Sequence, residues 1–339
     1  MGELGFGYLY DFRNPAPWRR APEALYAETL DVIAETEALG FDGAWVPEHH
    51  LAEDGYMTSP LVVLGAIAAR TRRMRIGGGI ALGPLYEPLR FAEDCAVLDT
   101  LSGGRLAMGL AIGYRAREYA AHGLDFTRRG ARFDEFLQVV RRLWAGETVD
   151  FEGRHFRLEG ARVAALSSRG QVPLYIGGFA PKAVERVARY GDGYFGNPDI
   201  WPLYRAKLEE QGKDPAGARI WLQELMLVVA HDKAAAMEEL APYYHHVSNS
   251  YAAWMAEDRA LGIGGSAEDA VMKPMDLDTF KRSGALQILT PAEAVERFRV
   301  IRAKAPVEHF TMMMPPGLPA ERFLAYARTF ADEVIPAFR

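Results

Sequence analysis

The chain has 339 residues, 49% hydrophobic and 25% charged, with a formal net charge of −6. That is an ordinary globular composition, and although basic residues cluster at 70–75 and 128–132, acidic residues are interspersed throughout, which argues against nucleic acid as a partner. The one cysteine, Cys95, excludes an intrachain disulfide and a cysteine-rich metal site, and with no apolar run of ~18 residues and no signal-peptide pattern, a cytoplasmic protein with no membrane partner is expected.

Leu4 to Tyr10 reads as a first strand, and Asp11 to Pro22, rich in Pro, Arg and Trp, as a loop. A helix over Glu23 to Leu39 stops at Gly40. The next stretch, Gly40 to Pro60, is the most informative. A short apolar strand, Phe41 to Pro47, delivers Glu48, His49 and His50 to a loop, and Ser59-Pro60 opens a helix with Ser59 as N-cap. A carboxylate and two imidazoles at the end of a buried strand are costly to desolvate without partners, which marks this exit as a candidate site.

The pattern then repeats. A helix over Pro60 to Arg70 leads to a strand, Met74 to Leu82, and a helix ending at Leu101, in which Cys95 is read as a packing residue, leads to a strand, Arg105 to Ile112. Arg128 to Ala145 is helical, Thr148 to Leu158 a small hairpin, and Glu159 to Gln171 a loop. Val172 to Gly177 is a strand, Pro181 to Tyr190 a helix, Gly193 to Gly196 a strand, Trp201 to Gln211 a helix, and Ile220 to Ala230 one long strand. Residues 233–289 read as a mostly helical insertion without a strand; Pro291 to Lys304 is a helix, Val307 to Met314 the last strand, and Ala320 to Phe338 a closing helix.

Eight apolar strands, each followed by helix, are the arithmetic of an α/β fold of the (β/α)₈ barrel type, in one domain over 1–339 with an insertion at about 231–289. An open doubly wound sheet would offer a GxGxxG turn after its first strand, and none occurs there. In a barrel the chemistry sits at the strands' C-terminal ends. Those ends supply Tyr10 and Asp11; Glu48, His49 and His50; Gly79 to Leu82; Ala111 to Arg115; Gly177 to Phe179; and Phe195 to Asn197.

Serine hydrolase chemistry lacks a GxSxG elbow. A metal site is not expected, since adjacent histidines (49–50, 245–246) point to opposite sides of an extended backbone and HExxH is absent. Phosphate binding has better support. Gly177-Gly178 closes a strand, a helix starts near Pro181, and Lys182 lies at its N-terminus, with Arg115 as a further cation in reach. Glycines at 77–79 would let a flat ring approach the backbone.

GFDGAWVPEHH at 40–50, SPLVVLGAIAARTRRMRIGGGI at 59–80, the stretch from PLRFAEDC to AAHGLD at 88–125, RRGARFDEFLQVVRRLW at 128–144 and PLYIGGFAPKAVERVARYGDGYF at 173–195 together resemble the bacterial-luciferase-like superfamily of flavin-dependent oxidoreductases. The resemblance covers almost the whole chain and is weakest over 231–289. It implies a TIM barrel, often dimeric, using reduced FMN supplied by a separate reductase, or the deazaflavin F420 in one large branch. A homodimer and a flavin reductase partner are therefore expected. It implies that His49, with Glu48 and His50, supports the reaction of reduced flavin with O₂ through a peroxyflavin, His49 being oriented by Glu48 or Asp11. It implies a non-prolyl cis bond at Gly79-Ile80 under the ring. Gly79, Ile80, Ala81, Ala111, Tyr114 and Arg115 would surround the cofactor, and Gly177, Gly178, Phe179 and Lys182 would hold its phosphate. Where luciferases carry a reactive cysteine this chain has Ala111, which argues against light emission but not against oxygenation.

The expected activity is thus an FMN-dependent monooxygenase acting on a small organic substrate. The insertion would close over the mouth, with Tyr243, Tyr244, Tyr251 and Trp254 as candidate lining. F420-dependent hydride transfer is the alternative on the same fold, with Arg13, Arg19, Arg20 and Arg115 as a basic channel for the longer anionic tail. A catalytically silent flavin-binding subunit is a further alternative; the polar groups kept at 48–50, 114 and 115 argue against it.

Overall fold

The structure, a computed structural model, describes residues 3–164, 171–260 and 273–339. The chain alternates as read: β1 (Gly5–Leu9), α1 (Pro22–Ala38), β2 (Gly43–Val46), α2 (Pro60–Arg70), β3 (Arg75–Leu82), α3 (Pro88–Leu101), β4 (Leu106–Ala111). A short α4 (Ala116–Ala121), α5 (Arg129–Trp144) and a hairpin, β5 (Val149–Glu152) with β6 (Arg157–Ala161), follow. Then come β7 (Leu174–Ile176), α6 (Pro181–Tyr190), β8 (Gly193–Gly196), α7 (Trp201–Glu210), β9 (Ile220–Gln223) and β10 (Leu227–Val229). The chain closes with α8 (Lys233–Ala260), α9 (Leu277–Arg282), β11 (Gln287–Leu289), α10 (Pro291–Lys304), β12 (Val307–Met313) and α11 (Ala320–Glu333).

Strands β1, β2, β3, β4, β7, β8, β9 and β12 close a parallel barrel in that order around the ring. This is the TIM-barrel fold expected from the alternation. Side chains alternate across each strand. On β12, Phe310 faces out and packs on Phe298 of α10 and Phe6 of β1, while His309 faces in toward Trp45 and Trp221. Strands β3 and β4 approach so closely that a Cβ on Gly77 would stand 1.6 Å from the Ala107 carbonyl oxygen. Cys95 is buried in α3, as its packing role requires.

Local signals explain several boundaries. Thr290 and Glu293 form a reciprocal capping box at the start of α10, with Pro291 in the first turn. Ser59 stands at the N-cap of α2 as read, but its side chain makes no capping bond.

Two readings are corrected. Ile220 to Ala230 is not one strand: Leu227 N–H donates to the Glu224 carbonyl, and this turn ends β9 in the barrel and redirects β10 to its outside. There β10 pairs in parallel with β11, a strand inside the stretch read as having none. Three residues carry too little periodicity to announce a strand. The insertion is otherwise helical, in α8 and α9; its residues 261–272, like 165–170 of the 159–171 loop, lie outside the described residues.

Candidate active site

Strand β2 ends by handing three polar side chains to different partners. Glu48 turns toward β3: its Oε2 accepts the Leu82 N–H at 2.7 Å, and its Oε1 accepts the Tyr86 hydroxyl at 3.0 Å and meets His50 Nε2 at 3.1 Å. Glu48 N–H in turn donates to the Ile80 carbonyl at 3.0 Å. Glu48 therefore clamps the end of β3, where the Gly79-Ile80 peptide is cis, as the resemblance implied.

His49 points the other way, as successive residues of an extended chain must. Its Nδ1 lies 2.9 Å from Oε1 of Glu118 on α4. The reading that Glu48 or Asp11 orients His49 is thus corrected. Glu48 is engaged with β3 and His50, and Asp11 accepts the Arg13 N–H at 3.1 Å. Glu118 is fully buried and also accepts the His50 N–H at 2.9 Å and an Arg115 guanidinium N–H at 3.2 Å. Burial pushes its carboxyl up, but the His49 bond and charge, the His50 N–H and the Arg115 charge outweigh it and hold it below the usual range. No sequence motif marks Glu118. The available signal was its position one helical turn after Arg115.

Four aromatic rings wall His49 in: Tyr56 at 5.0 Å between centroids, Trp254 at 5.2 Å, Tyr114 at 5.6 Å and Tyr251 at 5.7 Å. Burial raises the Tyr56, Tyr114 and Tyr251 hydroxyls above the ordinary phenol range, so they stay neutral. Tyr251 and Trp254 belong to α8, so this helix packs against the β2 exit. It is held there by the Tyr56–Tyr251 hydroxyl pair (2.8 Å), by Arg115 over the Trp254 ring (4.3 Å), and by Asp54, which joins Arg13 (2.6 Å) to His246 (2.9 Å). Tyr243 and Tyr244 do not join the wall. Tyr243 packs on Trp18, and the Tyr244 hydroxyl donates to the Met313 carbonyl.

Beside this wall lies a floor of small residues. Gly79, Ala81, Gly109, Ala111 and Gly177 come from β3, β4 and the exit of β7. A Cβ on Gly177 would stand 2.5 Å from Ile80 Cδ1 and 3.1 Å from the Phe195 carbonyl. Beyond it Gly178 takes a positive φ of 133° and α6 begins at Pro181. Lys182 lines a surface cavity with Thr127, Gly130, Asp134 and Arg186, and Phe179 is 72% exposed. Arg115 does not join that end: it is buried, donating to the His50 carbonyl at 2.6 Å and to Glu118. The predicted residues therefore form two groups, one at the β2 exit and the start of α4 (48–50, 114, 115) and one at the ends of β3, β4 and β7 and the start of α6 (79–81, 111, 177–182).

These residues fit a flat ring cofactor with a phosphate. At Gly79, Gly109 and Gly177 an added Cβ would meet Trp45 Cβ, the Gly78 carbonyl oxygen or Ile80 Cδ1 within 2.7 Å, so the backbone here carries no side chain of its own to hold a ring away. The Tyr114 hydroxyl, Glu118 Oε2 and Asp11 Oδ2 are buried without a hydrogen-bond partner among the described residues, so polar acceptors and donors remain to be used.

The sequence model of the luciferase-like monooxygenase family matches residues 5–309. The chain belongs to this family. Among curated relatives, it is 30% identical over 202 residues to an F420-dependent glucose-6-phosphate dehydrogenase of Mycobacterium avium (strain 104), covering 57% of each chain. It is 29% identical over 216 residues to limonene 1,2-monooxygenase of Rhodococcus erythropolis, covering 63% of this chain and 54% of that one. The match thus spans little more than half the length of these relatives. Among solved structures, the monooxygenase RslO1 from Streptomyces bottropensis superposes with a TM-score of 0.79 at 25% identity, covering 99% of this chain and 100% of that one. The family match runs through every element that builds the floor and through the His49–Glu118 pair. No helix among the described residues is long and apolar enough to cross a membrane.

Proposed function

We propose that this chain is an oxidoreductase, a monooxygenase that uses reduced FMN from a separate reductase, together with O₂, to oxidise a small organic substrate. The observation that carries the reading is His49, fixed by Glu118 inside an aromatic wall and set beside a floor of glycine and alanine. Bound reduced FMN would supply the two electrons that activate O₂. Gly79, Ile80, Ala81, Ala111 and Gly177 would lie under its ring, and Gly178, Phe179 and Lys182 at its phosphate. Because a carboxylate only accepts, Glu118 fixes the Nδ1–H tautomer of His49 and leaves Nε2 to take or give a proton. Tyr56, Tyr251 and Trp254 keep bulk water from that nitrogen.

FMN is favoured over F420 by the fate of the basic channel. Arg13 is bound to Asp54 and Ser250, Arg20 to Glu28, and Arg115 to Glu118, which leaves Arg19 of the four for an anionic tail. The second reading, F420-dependent hydride transfer, is favoured by the same His49–Glu118 pair, which suits removal of a hydroxyl proton, and by the likeness to F420-dependent dehydrogenases. Oxygen uptake with reduced FMN tests the first reading: substrate-dependent uptake abolished in His49→Ala supports it, and uptake equal to that of free flavin sinks it.

A homodimer fits the exposed apolar side chains Val62 of α2 and Val97 and Leu101 of α3, on two helices that pack side by side.

A further inference from the structure

The barrel interior holds a second constellation that the proposed oxidation does not use. Branched aliphatic side chains ordinarily fill such an interior. Here the filling is aromatic: Trp45 of β2, Tyr175 of β7, Phe195 of β8, Trp221 of β9 and His309 of β12, all buried. The Trp45 and Trp221 ring centres are 4.4 Å apart, and Trp221 and Tyr175 are stacked at 3.6 Å and 18°. Glycines make the room. A Cβ on Gly43 would stand 2.8 Å from the Trp45 ring, and one on Gly193 2.5 Å from the Tyr175 ring.

Each of these three rings donates to a titratable base. Trp45 Nε1 donates to His309 Nε2 at 2.9 Å, Trp221 Nε1 to Glu308 Oε1 at 2.7 Å, and the Tyr175 hydroxyl to the same oxygen at 2.5 Å. Burial alone asks only for some acceptor, and a backbone carbonyl serves for Trp144. The chain also has two defined ends. A Cβ on Gly79 would stand 2.6 Å from Trp45 Cβ, so Trp45 lies directly under the mouth floor. Glu308 is one-third exposed at the opposite end of the barrel, 3.8 Å from Arg219. His309 is kept neutral, its pKa lowered to about 3 by burial and then by Arg75 and Arg339, so its Nε2 carries no proton and accepts from Trp45.

We propose that Trp45, Trp221 and Tyr175 form a one-electron relay that drains oxidising equivalents from the barrel mouth to the Glu308 surface. The relay rests on the cofactor position proposed above only for its upper end. A one-electron oxidant at the mouth, such as photoexcited oxidised flavin, takes one electron from Trp45, whose Nε1–H stays hydrogen-bonded to His309. Trp221 refills Trp45, and the Trp221 proton passes to Glu308. Tyr175 refills Trp221, which recovers its proton, and the Tyr175 proton comes to rest on Glu308. A small thiol at the surface then gives one electron, Glu308 returns the proton to Tyr175, and the thiol proton leaves to solvent. The sum is one electron moved from thiol to oxidant, with one thiyl radical and one proton formed. Such an exit would protect a site that handles O₂.

The test is flash photolysis of the purified chain. An ultraviolet flash without cofactor ejects electrons from tryptophan, and transient absorption follows tryptophan and tyrosine radicals. Trp18–Tyr243 and Trp254–Tyr251 contacts supply a background, so the readout is the component of tryptophan-to-tyrosine radical conversion that Trp221→Phe and Tyr175→Phe remove. Loss of the same concentration-independent component in both supports the relay; traces identical to wild type overturn it. Glu308→Gln keeps the ring stack and should slow that component, so a folding defect in one ring variant does not blunt the test. A blue-light flash of the chain with oxidised FMN tests the upper end. Tyrosine radical lost in Trp45→Phe supports it; bound FMN that yields no tyrosine radical overturns it. If FMN does not bind while the ultraviolet component behaves as expected, the cofactor reading fails and the relay stands.

Discussion

Glu118 places one carboxylate oxygen 2.9 Å from Nδ1 of His49, and its other oxygen has no hydrogen-bond partner among the described residues. The pair is buried and shared with Arg115, so the imidazole is held in one tautomer and one orientation. In the proposed mechanism, His49→Ala removes the group that takes or gives the proton, and Glu118→Gln removes only the charge that orients it. His49→Ala should lower turnover about 10²–10⁴-fold. Glu118→Gln should lower it about 10–100-fold, the usual cost of losing a supporting partner. Steady-state kcat and KM across pH check both; a Glu118→Gln enzyme with a wild-type profile would detach the pair from the chemistry.

Asp11 and His309 pull stability in opposite directions with pH. Burial raises the Asp11 carboxyl from 3.8 to about 6, against the lowering effect of Arg13. The folded chain therefore binds the Asp11 proton more readily than the unfolded one. The resulting penalty is absent below pH ~4, grows through pH 4–6 and reaches about 3 kcal/mol above it. Asp11→Asn should match wild type in urea unfolding near pH 4 and exceed it at pH 8; an equal offset at both would contradict this assignment.

For His309 the folded pKa is depressed, from 6.5 to about 3, by burial and then by Arg75 and Arg339. Its contribution is complete above pH 6.5 and is lost as pH falls toward 3. His309→Gln keeps an acceptor for Trp45 Nε1 and cannot gain the charge. Its unfolding free energy should fall less steeply between pH 6 and 4 than that of wild type, as read by urea titration.

Gly177 separates the floor from the core. A Cβ there meets Ile80 Cδ1, the far end of a flexible side chain, and displaces it. Gly177→Ala should therefore cost under about 2 kcal/mol of stability. Equilibrium dialysis should nevertheless show clearly weaker FMN binding. Wild-type affinity would remove the floor from the cofactor site.

The barrel was legible because most of its strands are apolar runs and most of its helices have a Gly or Pro near a boundary. The candidate exit at 48–50 was legible because Glu48-His49-His50 puts a carboxylate and two imidazoles at a strand end. The partner of His49 was not: Glu118 lies 69 positions away on a six-residue helix, and only the closed barrel brings β2 and α4 together. Arg13 and Arg115 read as surface cations because burial cannot be seen in a one-dimensional chain; the carboxylates Asp54 and Glu118 take them inside. The split of the 220–230 strand depends on one turn at Glu224, whose flanks are apolar on both sides.

Leu101→Glu on α3 tests the homodimer. The side chain is 66% exposed in the single chain, so the variant should fold normally and sediment as a monomer where wild type sediments as a dimer. An unchanged assembly would place the interface elsewhere.

The most direct measurement is an anaerobic binding titration of the purified chain with reduced FMN and reduced F420, followed by mixing with O₂. The account predicts that reduced FMN binds more tightly than F420. It also predicts that the complex consumes O₂ in a substrate-dependent way lost in His49→Ala. Binding of F420 alone, with no oxygen consumption, would contradict the monooxygenase reading and leave hydride transfer as the function of the same pocket.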